Sequence, residues 1–203
     1  MKWIILPILL LFAFGCFEPI ERGNSTSIDG VDTNTTQSAN FTSKWEQYDA
    51  KYFSFDYLDK MNVRSTTNTF VGEHHLSNGK TGEILVVAWL NISKVYGENV
   101  DHVYAANPTK TTSDLLLGDK NNNPDNVFNS YERDDIITYA IVKDTYVAEV
   151  PFIIEENGVR YNCYALSLYS PERSLYVKVR VAAIDPSVAE EMKKQFISSF
   201  RLR

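Results

Sequence analysis

No stretch of this 203-residue chain is long enough in apolar residues to cross a bilayer as a helix, which takes about 20. Cysteine is nearly missing too. Cys16 and Cys163 are the only two, and Cys16 stands where a signal segment would be processed. The folded part therefore has one thiol, no internal disulfide, and a core that must hold unaided. Blocks of Lys and Arg are absent and the net charge is -6, so the electrostatic footprint that attracts nucleic acid is missing and that class is excluded. There is no glycine-rich phosphate loop, Gly-x-Ser-x-Gly elbow or Cys-x-x-Cys pair. What remains is an ordinary globular composition, 44% hydrophobic and 23% charged. About 160 residues follow an early polar stretch, enough for one domain that buries roughly 70% of its unfolded surface.

The first residues read as an address. Met1 and Lys2 give a short positive start, and Trp3 to Phe14 is apolar apart from Pro7, a length that suits the core of a secretory signal. Ala13-Phe14-Gly15-Cys16 resembles the lipobox of exported lipoproteins, with Ala13 where an aliphatic such as Leu is usual. That resemblance implies a lipid on Cys16 and a place at the outer face of the cytoplasmic membrane; two acyl or isoprenoid chains make such anchoring stable. From Asn24 to Ser43, thirteen of twenty residues are Ser, Thr, Asn or Gln, too polar to offset the entropy of ordering them. The expected organisation is a lipoprotein signal peptide over 1–16, a disordered linker over 17–44 reaching about 30 Å root-mean-square, and one domain over 45–203. Sequons at Asn24, Asn34, Asn40 and Asn91 are candidate glycosylation sites, although a linker of this composition generates such triplets by itself.

Within the domain the pattern is of strands. Phe53, Phe55 and Tyr57 alternate with Ser54 and Asp56, giving a half-buried strand. Asn78-Gly79 predicts a two-residue hairpin turn, from which Ile84 to Leu90 returns, apolar on both faces and so expected in the middle of a sheet. Gly97 to Ala106 reads as a helix presenting Val100, Val103 and Tyr104 and stopping before Pro108. Ile136–Val142, Tyr146–Ile154, Tyr161–Tyr169 and Leu175–Ala183 read as a four-strand meander. In the last of these Leu175, Val177, Val179 and Val181 face inward, and Tyr176, Lys178 and Arg180 face a wetter side. Asp185 caps a closing helix, Pro186 is its first residue, and Val188, Met192, Phe196 and Phe200 form its apolar stripe.

The opening Tyr52-Phe53-Ser54-Phe55-Asp56-Tyr57, the late meander, and the closing Ile197-Ser198-Ser199-Phe200-Arg201-Leu202 resemble PsbP-like domains, named after the extrinsic P protein of photosystem II and also found on bacterial and archaeal lipoproteins. Leu58 and Met61 depart from the proline and tryptophan usual after that opening. The resemblance implies an α+β fold, an antiparallel sheet with helices packed on both faces. It carries no functional residue onto this chain, and function belongs to sites rather than folds.

Candidates for chemistry are sparse. Glu73 and His75 share a face of a strand while His74 takes the other, which gives at most two local metal ligands where zinc needs three or four; a solvated hairpin edge accounts for them better. His102 reads as a surface residue. Asp119, Asn121, Asn123 and Asp125 place oxygens like the opening of a calcium loop, but Pro124 stands where that loop needs glycine and Ser130 where it needs a closing glutamate. Glu132, Asp134 and Asp135 offer carboxylates without a partner to divide acid and base roles, and Cys163 reads as a small buried hydrophobe. The expectation is a non-enzymatic lipoprotein binding a protein partner or envelope component, with Tyr161, Tyr169 and Tyr176 as candidate contacts if they lie on the wetter face rather than beneath a helix. A cell-surface hydrolase or metal-dependent enzyme, its acids drawn from distant parts of the chain, is the alternative.

Overall fold

A computed structural model of the chain describes residues 44–122, 130–142 and 145–203. These form an α+β fold of ten strands and four α-helices. β1 (Trp45–Asp49), β2 (Phe53–Leu58) and the short β10 (Arg201–Leu202) make a small antiparallel sheet. The main sheet has seven antiparallel strands, in the order β3 (Asn62–Thr67), β4 (Val71–Asn78), β5 (Glu83–Asn91), β9 (Leu175–Ala183), β8 (Val159–Ser170), β7 (Thr145–Glu156) and β6 (Ile137–Val142). The doubly apolar β5 lies inside the sheet as expected, and β6 to β9 are a meander. α1 (Ile92–Tyr96), α2 (Glu98–Ala105) and α3 (Pro108–Asn122) follow β5, and α4 (Pro186–Ser199) follows β9.

The period-two alternation of the strands divides the core. Leu85, Val87 and Trp89 of β5 join Val177, Val179 and Val181 of β9 on one face, closed by β2 and α4. Asp185 Oδ1 accepts the Ser187 N–H at 2.7 Å, which starts α4 where the sequence predicts, with Pro186 in its first turn. Its stripe buries Val188, Met192 and Phe196, and Phe196 meets Phe55 with ring centroids 5.0 Å apart.

Much of the opposite face is covered as well, which corrects the expectation that Tyr176 and Arg180 face a wetter side, while Lys178 stays half-buried. Ala148, Val150, Cys163 and Ala165 lie beneath Leu116 of α3, while Leu90, Tyr169 and Tyr176 lie beneath Val100, Tyr104 and Leu115 of α2 and α3. Tyr176 and Arg180 are buried. The covering helix α3 begins at the proline that reads as a stop. Asn107 Oδ1 accepts the Lys110 N–H at 3.1 Å, so Pro108 follows a capping residue, where its missing N–H costs nothing. Val103, expected on the apolar stripe, is 63% exposed.

The β4–β5 turn also differs from expectation. Asn78 pairs with Glu83, leaving four residues in the loop, and the positive φ of 82° falls on Gly82 rather than on Gly79. Asn78 still organises the turn, its backbone oxygen accepting the Gly82 N–H at 2.9 Å.

Candidate functional site

Glu73 and His75 do share a face of β4 and hydrogen-bond each other, His75 Nε2 donating to Glu73 Oε1. That bond, with Lys178 nearby, holds the Glu73 carboxyl below its usual range against the opposing effect of burial. No group of three or more His, Cys, Asp and Glu side chains is placed to hold a metal ion among the described residues. Asp119 and Asn121 lie on α3, and Asn123 and Asp125 of the calcium-like stretch lie outside the described residues, as do Cys16, Asn24, Asn34 and Asn40. Asn91 serves as the N-cap of α1. Its Oδ1 accepts from Lys94 N at 3.0 Å and its Nδ2 donates to Arg173 O at 3.1 Å, so the nitrogen a glycan would use is engaged. His102 is exposed on α2, as are Glu132, Asp134 and Asp135 near β6.

The candidate contact tyrosines are corrected. Tyr169 and Tyr176 are buried under α1–α3, because the face they occupy is roofed rather than wet. Tyr169 donates to Asp101 Oδ1 at 3.0 Å, and Ser174 Oγ donates to the other oxygen at 2.5 Å, which pins α2 to the sheet. Tyr161 is half-buried and packs against the Phe152–Cys163 cluster. Burial pushes the Cys163 thiol up to about 12, so no thiolate forms near neutral pH.

Sequence reasoning missed two polar arrangements. In the first, His74 is buried at 3% exposure between the two sheets. Trp89 Nε1 donates to His74 Nε2 at 3.3 Å, so the ring proton sits on Nδ1, which faces Tyr48 Oη at 2.9 Å and Ser65 Oγ at 3.0 Å. A ring with its proton on Nδ1 is a donor there, not a base. His74 therefore cannot accept a proton from Ser65, and the pair lacks the polarity of a hydrolytic dyad. What the cluster does is structural: it ties β1 to β3 and β4 through three side chains.

Burial lowers the His74 pKa; nearby Glu73 opposes that effect and His75 adds to it. The unfolded chain thus takes up a proton near pH 6.5 that folded His74 resists. Protons bound in the unfolded state then exceed those in the folded state, so stability must fall as pH drops through and below that value, by at most about 1.4 kcal/mol per pH unit. Urea midpoints at pH 7.5 and 5 should drop more for the wild type than for His74→Gln, and equal drops would show that this ring is not responsible.

The second arrangement lies on the α4 face. Lys193, 11% exposed in its side chain, bonds Glu149 of β7 at 3.2 Å and Glu190 at 3.3 Å, and stands 4.6 Å above the Tyr164 ring. Tyr139 donates to Glu149 at 2.5 Å, and burial followed by that carboxylate raises its phenol pKa. For Glu190 burial works upward, but bonds from Tyr164, Lys194 and Lys193 together outweigh it and hold the carboxyl low. Both carboxylates and the Tyr164 ring engage the Lys193 ammonium, which ties α4 to β7 and β8. Beside this cluster runs an open groove of about 360 Å³ lined by Pro151, Ile153, Asn162, Tyr164 and Pro186 among others, largely apolar and with no acid among its lining residues.

No protein-family model matches the chain, and a comparison with curated proteins returns no match. Among solved structures, a crystal structure from Bacteroides thetaiotaomicron is similar over 77% of this chain at 11% sequence identity, with a TM-score of 0.47. This chain spans 48% of the length of that one.

Proposed function

We propose that the chain is an exported lipoprotein, held at the outer face of the cytoplasmic membrane through Cys16, whose PsbP-like domain binds a protein partner or envelope component and performs no chemistry. The observation that carries this reading is the order of segments: an apolar run from Trp3 to Phe14, a cysteine after Gly15, a stretch rich in Ser, Thr and Asn, then a packed domain. Supporting the non-catalytic half, three side chains that could do chemistry are held in other roles. His74 is locked as a donor toward Ser65, Lys193 is held between carboxylates, and Cys163 is protonated. An antiparallel sheet roofed on both faces is also what the PsbP-like resemblance implies, so the fold agrees with that reading without deciding the activity.

Cys16→Ser tests the anchor. The variant is expected to leave the membrane fraction, either released or retained as an unprocessed precursor, while the wild type sediments with membranes. Equal membrane retention with normal processing would refute lipidation at this position. Crosslinking in native membranes tests the binding role, with one partner expected in fixed stoichiometry.

A further inference from the structure

Among the described residues the main sheet leaves open edge along β3, along β6 and along part of β7, and the last two are guarded. β7 runs past its partner beyond Glu149, since β6 pairs with it only from Ile137 opposite Glu149 to Val142 opposite Thr145. Its free part carries Pro151, which cannot donate to an added strand, and ends on Glu155 and Glu156. β6 is broken by a register shift between Ala140 and Val142. Such devices are how sheets avoid pairing with other chains.

β3 has none of them. Its six residues are exposed, its register with β4 runs unbroken from Asn62 opposite Ser77 to Thr67 opposite Gly72, it contains no proline, and its one charge is Arg64. Which of its backbone groups are free follows from the turn. Asn68 N donates to Val71 O at 2.8 Å, so Asn68 and Val71 form a hydrogen-bonded pair. By the alternation of an antiparallel ladder, Thr66, Arg64 and Asn62 then bond β4, whereas Thr67, Ser65 and Val63 turn their N–H and C=O groups outward. Val63 and Phe70, each 39% exposed, flank this edge with apolar surface.

We infer that β3 is a strand-addition site that takes an extended segment of a partner protein, antiparallel, with an acidic residue opposite Arg64. This deepens the binding role proposed above and rests on it. The added strand bonds at Val63, Ser65 and Thr67, which leaves Arg64 at a non-hydrogen-bonded position, where facing side chains are closest and a charge has most effect. Among the described residues Arg64 makes no ion pair. A second copy of this chain fits worse: self-pairing about Ser65 uses the whole strand but puts both Arg64 side chains on one face as diagonal neighbours, and self-pairing about Arg64 sets them directly opposite. Main-chain bonds supply affinity in this mode of recognition, and alternate side chains supply selectivity.

The test uses the full chain in detergent and a short peptide of alternating valine and threonine with a glutamate at its centre, beside the same peptide carrying lysine. The glutamate peptide should slow amide exchange about tenfold at Val63, Ser65 and Thr67, leaving Asn62, Arg64 and Thr66 as they were. It should bind about tenfold more tightly than the lysine peptide. Val63→Pro should abolish binding with little change in the urea midpoint, because the lost N–H points outward, and Val63→Thr should keep it. Unchanged exchange with the glutamate peptide overturns the inference. So does equal binding of the two peptides, or protection that appears without peptide and grows with protein concentration, the mark of a second copy. If a stoichiometric partner crosslinks at another surface while β3 stays free, the binding role stands and this edge does not carry it.

Discussion

Phe196→Ala is expected to destabilise the domain by about 3–5 kcal/mol, a large share of the 5–15 kcal/mol typical of a folded chain. Phe196 is fully buried where α4 meets the small sheet, its ring 5.0 Å from Phe55 and 5.7 Å from Phe200 between centroids. Phe53 extends the group, 5.5 Å from Phe200. Truncation removes the ring's transfer energy and leaves a cavity that these neighbours cannot fill, because polar ties hold α4 against β2. Gln195 Nε2 donates to Asp56 Oδ2 at 2.8 Å, and Asp56 N donates to Ser199 Oγ at 2.8 Å. Urea unfolding followed by circular dichroism measures the loss. A cost below about 1 kcal/mol would mean that α4 is not seated as described.

Gly72→Ala should cost about 1–3 kcal/mol for one added methyl group, and Gly72→Val more. A Cβ at Gly72 would lie 2.5 Å from Trp89 Nε1, 2.7 Å from Trp89 Cε2 and 2.8 Å from Thr67 Cγ2. The indole has nowhere to go. It is buried, meets the Tyr52 ring edge-on at 4.9 Å, and donates to His74 at 3.3 Å. The damage should therefore spread to the His74 cluster and weaken the hold on β1. Near-ultraviolet circular dichroism, which reports Trp89 among other aromatic groups, should change in Gly72→Ala together with the urea midpoint. A variant as stable as wild type with an unaltered spectrum would contradict this packing.

The sequence made visible those parts of the fold that depend on local periodicity. The alternation of β9 and the spacing of Val188, Met192 and Phe196 follow from side-chain direction alone, and the cap at Asp185 marked the start of α4. The same signature, an Asn followed by Pro, opens α3 at Asn107 and Pro108, where it reads as an end. The run Thr-Lys-Thr-Thr that follows is weak in helix propensity, and Leu115, Leu116 and Leu117 are contiguous, so no period of 3.6 shows there. Missing α3 led to a wetter face being expected where Tyr169 and Tyr176 are in fact roofed, and so to these two as contacts. The polar clusters were hidden for another reason. His74, Ser65 and Tyr48 come from three strands, and Glu149 and Lys193 from a strand and a helix 44 positions apart, so only the tertiary fold brings them together. Gly72 did carry a signal, since a glycine inside a strand marks the close approach of another group.

The open β3 edge was likewise beyond sequence reading, because whether a strand is an edge depends on the sheet order. Its outward groups become useful only if the domain works among other envelope components, and that depends on the anchor. The intact mass of the protein extracted from membranes measures this most directly. The account predicts a chain beginning at Cys16 and bearing the added mass of a lipid; a chain that still begins at Met1, recovered from the cytosol without that mass, would contradict it.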